Sequence, residues 1–128
     1  KVGESRRFVI VDAAMNDLIR PALYEGHHEI MPVAEAGKDA HRSSADVVGP
    51  VCESGDTFAK GRMLPPLESG DLVAFGSAGA YGAVMASTYN TRLLVPEVLV
   101  NGDKFAVIRP RQTYEELLAL DRMADWLD

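Results

Sequence analysis

A chain of 128 residues with a formal charge of −6 and one cysteine has the size of a single domain able to bury its own core. The acidic balance and the lack of any Lys/Arg cluster argue against a nucleic-acid partner, and a lone thiol rules out an internal disulfide or a thiol-bound structural zinc. The composition suits a reducing compartment, by default the cytoplasm, and no apolar run approaches the roughly 20 residues of a membrane-spanning helix.

The chain opens with Lys1-Val2-Gly3-Glu4 almost directly before a strand, with no apolar core of a signal peptide, as expected of a stretch cut from something longer. Phe8-Val9-Ile10-Val11 reads as a strand buried on both faces and ended by Asp12. In the next segment, Ala14, Leu18 and Ile19 form one face of a short helical turn, which Pro21 breaks into a loop. Arg20 and Tyr24 flank that break. A guanidinium and a phenol leaving irregular backbone together suit a carboxylate clamp, although a surface arginine and a half-buried tyrosine fit the same pattern. His27 to Val33 predicts a second strand, with Pro32 at an edge or bulge. Adjacent histidines in a strand face opposite ways, which argues against a shared metal. The polar stretch from Glu35 to Ser44, through Gly37-Lys38-Asp39, reads as an exposed connection.

Asp46 to Cys52 predicts the next strand, interrupted by Gly49-Pro50, which delivers Cys52 and Glu53 to the loop Ser54-Gly55-Asp56. Loop ends are where reactive groups are displayed, yet a small core residue before an ordinary turn is equally compatible with Cys52. Phe58 to Leu64 reads as connecting structure, Pro65-Pro66 as a rigid approach, and Leu72 to Phe75 as a strand. In Gly76-Ser77-Ala78-Gly79-Ala80-Tyr81-Gly82 the glycines recur every third residue but lack the lysine of a P-loop and the GxGxxG pattern. They allow close packing or a bulge and leave Tyr81 as the side chain able to reach a ligand. Val84 to Tyr89 predicts another strand, followed by Leu93 to Val100, an Asn101-Gly102 turn and a return over Lys104 to Ile108. Thr113 and Glu116 have capping-box spacing, and an apolar stripe continues to Trp126-Leu127, so the chain closes on a helix. About six or seven short strands predict a mainly β fold, an antiparallel Greek-key-like barrel or sandwich with a short helical turn after the first strand and a C-terminal helix.

Three blocks, Asp12 to Tyr24 with its Arg20-Pro21-Ala22-Leu23-Tyr24 run, Gly49-Pro50-Val51-Cys52-Glu53-Ser54-Gly55-Asp56, and Gly79-Ala80-Tyr81 with Tyr89-Asn90 behind it, together resemble the carboxy-terminal part of the diaminopimelate decarboxylases. The resemblance covers nearly the whole chain. It implies that residues 1–128 are the C-terminal β domain of a two-domain pyridoxal-phosphate lyase of the alanine-racemase-like class, whose TIM barrel carries the Schiff-base lysine. The implied reaction converts meso-2,6-diaminopimelate to L-lysine and CO2, the last step of lysine biosynthesis, in a homodimer that shares its sites between subunits. By the same resemblance Cys52 is the general acid, reaching into the partner's site, and Glu53 contacts the distal ammonium of the substrate. Arg20 and Tyr24 hold the distal carboxylate, and Tyr81 lies near the cofactor phosphate and the substrate. The family usually has glycine where this chain has Ala14. Lys1, Lys38, Lys60 and Lys104 have no context matching a Schiff-base lysine, so the chain alone is expected to be inactive. A related ornithine, arginine or carboxypolyamine decarboxylase, or a non-catalytic interaction domain of the same fold, are the competing readings.

Overall fold

Ala45 and Val47 alternate with more exposed neighbours along Ser43–Val48, and both are buried, so this segment forms the middle of a sheet. In the computed structural model, which describes residues 1, 3, 6–37 and 39–127, the described residues fall into two compact units, Lys1–Ala86 and Ser87–Asp128. The first contains β1 (Phe8–Ile10), α1 (Arg20–Tyr24), β2 (Ile30–Pro32), β3 (Ser43–Val48), β4 (Thr57–Leu64), β5 (Val73–Phe75) and α2 (Gly79–Met85). The second contains β6 (Glu97–Asn101), β7 (Lys104–Arg109) and α3 (Tyr114–Leu118). Val2, Glu4 and Lys38, on which parts of the expected N-terminal entry and polar connection fall, lie outside the described residues.

The fold is mainly β. In the first unit β1, β3 and β4 form one sheet and β2 and β5 another, and the two share a core. Leu18, Ile30, Val47, Phe58 and Leu64 form its buried centre, with Val73, Phe75 and Ala78 packed against it. The rings of Phe58 and Phe75 meet at 4.7 Å between centroids, a contact between strands of different sheets and therefore sandwich-like. The described strands do not close into a barrel. One pairing is parallel, β1 with β3, while β3–β4 and β2–β5 are antiparallel. Arg7 pins one edge, donating from Nη1 to Ser43 Oγ at 2.7 Å and from Nη2 to the Pro65 carbonyl at 2.9 Å.

Several expectations are corrected. Phe58 to Leu64 belongs to the longest strand, not to a connection. Two register irregularities flank Val47 in the β3–β4 ladder, and they break the strict alternation by which a strand is read. β1 is half-buried, with Ile10 exposed, rather than buried on both faces. The third strand stops at Val48 instead of running to Cys52. Pro21 does not end a helical turn but opens α1 at its first positions, where the missing N–H costs nothing. Arg20 and Tyr24 consequently sit on regular helix. The strand expected over Val84 to Tyr89 is absent: residues 79–85 form α2, whose buried Gly82 faces Leu18.

In the second unit a 3-10 turn spans Tyr89–Thr91 and precedes the β6–β7 hairpin. Asn101 pairs with Lys104, so the turn residues are Gly102-Asp103, one position later than the Asn-Gly reading. Gly102 has φ +62, the left-handed conformation that a tight hairpin assigns to glycine. Thr113 and Glu116 form the expected capping box. The helix nevertheless ends at Leu118, where Arg122 donates to the carbonyls of Ala119 and Asp121 and satisfies the chain end short of Leu127.

Candidate active site

Arg20 and Tyr24 stand four residues apart on α1 and so share one face. Arg20 Nε donates to the Tyr24 hydroxyl at 2.7 Å. That bond places the guanidinium at the hydroxyl rim of the ring, with Cζ 5.5 Å from its centroid. The same Cζ lies 5.6 Å from the centroid of Tyr81. Tyr81 is carried there by α2, which approaches the Asp17-Leu18 segment through the bare face of Gly82. His28 supports this approach: it is buried, and its Nδ1 lies 3.0 Å from the Gly76 carbonyl, in the turn that leads to α2. Tyr24 and Tyr81 remain 50% and 61% exposed.

The chemistry of this trio is one-sided. Because the Tyr24 oxygen accepts from Arg20, its own proton is still free to be donated, and Tyr81 offers a second phenolic donor. The guanidinium retains its two terminal nitrogens. Three donor groups converging on one exposed patch match an anion with several oxygens, a carboxylate or a phosphate.

Cys52 and Glu53 occupy a separate loop. Both are exposed, and Cys52 is a free thiol. Glu53 Oε1 accepts from Gly55 N at 3.3 Å. The loop is closed by Asp56, a residue that turn propensity alone had not distinguished from any other turn aspartate. Its side chain is buried, with Oδ1 accepting from Met15 N at 2.8 Å and Oδ2 from Val51 N at 2.7 Å. Its backbone carbonyl accepts from Gly49 N at 3.0 Å. Thus a single residue ties the Cys52 loop to the segment that leads into α1. Gly49 makes room for this carboxylate, since a Cβ at residue 49 would lie 2.3 Å from Asp56 Oδ2.

The structure brings Arg20, Tyr24 and Tyr81 into contact and holds Cys52 and Glu53 on a separate loop, which Asp56 ties to the Met15 segment. A cleft of about 390 Å³ opens beside the loop, lined by Pro21, Glu25, His27, Ser54, Lys60 and Arg62 among others. None of the five candidate residues lines it. Their groups lie on open surface, where a second surface would be needed to enclose a substrate.

The first unit is mainly β and displays a donor cluster and, on a separate loop, an exposed thiol. The chain belongs to the family of the pyridoxal-dependent decarboxylase C-terminal sheet domain, whose model matches residues 1–79. It is 52% identical over 127 residues to the diaminopimelate decarboxylase of Zymomonas mobilis, covering 99% of this chain and 30% of that relative. Among solved structures, the diaminopimelate decarboxylase of Helicobacter pylori complexed with L-lysine is 48% identical with a TM-score of 0.84, covering 92% of this chain and 29% of that one. The diaminopimelate decarboxylase of M. jannaschii in co-complex with L-lysine is 36% identical with a TM-score of 0.88, over 97% of this chain and 28% of that one. The chain therefore spans about 30% of the length of the curated relatives that it matches. No described helix is long and apolar enough to cross a membrane.

Proposed function

We propose that this chain is the C-terminal β domain of a two-domain diaminopimelate decarboxylase, which converts meso-2,6-diaminopimelate to L-lysine and CO2 in the cytoplasm. The observation that carries the reading is the convergence of Arg20, Tyr24 and Tyr81 in a chain of this family. Ornithine and arginine have no second carboxylate, whereas diaminopimelate presents one at the end remote from the reaction. A donor cluster on the β domain has an obvious partner there. A site built to hydrogen-bond a group discriminates strongly against analogues that lack it.

The residues suit pyridoxal 5′-phosphate on one side: the exposed Tyr81 phenol beside the Arg20 cation is a donor fitted to a phosphate oxygen. When bound, the cofactor supplies an electron sink for the pair left on the α-carbon as the carboxylate departs. What the chain itself must supply is recognition and a proton. Arg20 and Tyr24 grip the distal carboxylate, and Glu53 accepts from the distal ammonium, so the reacting carbon is held by bonds at the far end of the substrate. The C–C bond breaks, CO2 leaves, and the retained electron pair takes the proton of the Cys52 thiol, whose thiolate is then reprotonated from solvent. Glu53 adjoins Cys52 on an exposed loop, a placement that suits insertion into the site of a second subunit in a homodimer. The barrel domain would supply the cofactor's lysine and the remaining walls.

In the enzyme that contains this chain, Cys52→Ala should lower lysine formation about a hundredfold to ten-thousandfold, the range of a positioned general acid, with the Michaelis constant little changed. Unchanged turnover would remove Cys52 from the acid role. Comparable kcat/KM for ornithine or arginine in the unsubstituted enzyme would overturn the substrate assignment.

A further inference from the structure

Asp56 is 3% exposed, and each of its carboxylate oxygens serves a different part of the chain. One oxygen holds Val51 N, immediately before Cys52; the other holds Met15 N, four residues before Ile19 and the start of α1. The backbone of the same residue closes the loop through Gly49 N, and its own N–H donates to the Glu53 carbonyl at 3.0 Å. At the Met15 end, Ala14 N donates to Asp17 Oδ2 at 2.9 Å, so the segment that receives the carboxylate is itself a fixed turn. Gly49 provides the space, since any Cβ would collide with the carboxylate.

We propose that Asp56 is the positioning residue of the Cys52 loop: it fixes where Cys52 and Glu53 stand on the surface that their own domain offers to a second subunit. The proposal rests on the role given above to Cys52. The chemistry requires the carboxylate specifically. Two backbone N–H groups, from separate segments, need two acceptors within one buried side chain, which an ionised aspartate provides. Asparagine has one acceptor oxygen and would turn its NH2 toward the other N–H, leaving a buried donor unpaired. Glutamate is longer by one methylene in a space that already excludes a Cβ at residue 49. Loss of the clasp leaves every group that touches substrate in place chemically but frees the loop that aims the proton donor.

The test is Asp56→Asn in the full-length pyridoxal-phosphate enzyme, read four ways. The expected result is a fall in kcat of about a hundredfold, the scale of an ångström-sized misplacement, with a smaller rise in KM for diaminopimelate, because Glu53 shares the freed loop while Arg20 and Tyr24 are untouched. Cys52 should react faster with iodoacetamide. In D2O the unsubstituted enzyme should deliver deuterium to one face of the carbon that lost CO2, and the variant to both, an outcome that mere loss of folded protein would not produce. Unchanged kcat, thiol reactivity and deuterium stereochemistry in a folded variant would overturn the proposal. If the variant does not fold, amide exchange in the unsubstituted enzyme decides: protection of Met15 and Val51 well above Cys52 and Ser54 supports the clasp, and equal exchange overturns it. Should Cys52→Ala leave turnover intact, the acid assignment fails alone, because thiol reactivity and amide exchange still report on Asp56.

Discussion

Arg20 divides its side chain between two tasks. Its Nε is committed to the Tyr24 hydroxyl and its cation lies beside Tyr81, so only the terminal nitrogens face outward. Lysine cannot do both, since an ammonium has no planar fork with which to bond a phenol and grip a carboxylate together. In the decarboxylase proposed above, Arg20→Lys should therefore raise KM for diaminopimelate about tenfold to a hundredfold, the equivalent of one charge-assisted hydrogen bond at about 1.5–3 kcal/mol. Steady-state kinetics against diaminopimelate and against a substrate lacking the distal carboxylate separates the effects: only the first should suffer. The residues of this cluster were legible in the sequence, because an arginine and a tyrosine beside a proline are unusual enough to notice. Their mutual geometry was not. Reading Pro21 as a breaker placed them on irregular backbone, whereas Pro21 starts the helix whose four-residue spacing brings them together. Asp56 was less visible still, because an aspartate that closes a turn and one that crosses to another segment look alike until the fold joins residues 15 and 56.

At the level of elements, β4 shows how a bulge both hides and shapes a strand. Gly61 adopts φ +62, and its N–H donates to Asp46 Oδ1 at 2.8 Å across the ladder. The β3 residues Ala45 and Val47 pair with Arg62 and Ala59, so β4 carries an extra residue at this point, and the strand is locally twisted. The alternation that identifies strands was thereby interrupted at Lys60-Gly61, which is why Phe58 to Leu64 read as a connection. Gly79 to Met85 was misread for a different reason: its small residues permit either state, and their pattern does not separate helix from strand. Gly61→Ala isolates the cost of the bulge. A Cβ there finds room, with Ser44 Oγ nearest at 3.7 Å, so the penalty is the left-handed conformation alone. It should cost about 1–2 kcal/mol and lower Tm by about 4 °C. Gly37→Ala, at a position with no neighbour within 4 Å and no left-handed φ, should leave Tm unchanged in the same calorimetric comparison.

For the molecule as a whole, the most informative surface is the β6–β7 hairpin, described within its own unit. Val98 pairs with Val107 and Val100 with Phe105, which places these four on one face, while Leu99 and Ala106 share the other. Val98, Leu99, Val100, Phe105, Val107 and Ile108 are all exposed. A soluble two-stranded ribbon ordinarily keeps one face polar; apolar groups on both faces, with no third strand beside the ribbon among the described residues, are a surface that associates. The sequence announced the hairpin through its turn, but a run such as Val-Leu-Val reads as a strand meant for burial, and nothing in the run says what buries it. The chain spans about 30% of the length of its curated relatives, so the balance between exposed and covered apolar surface can differ between the 128 residues alone and a chain of the relatives' length. The chain expressed alone should therefore self-associate. Sedimentation velocity over a concentration series should show the weight-average coefficient rising with concentration, and Leu99→Lys with Phe105→Lys should suppress that rise by placing one charge on each face. The expected contrast is specific to the hairpin: a paired substitution at exposed positions of the first unit, Val33→Lys with Leu72→Lys, should leave the concentration dependence as it was. If both pairs act alike, association is a general effect of added charge; if neither acts, the ribbon is not the surface through which copies meet.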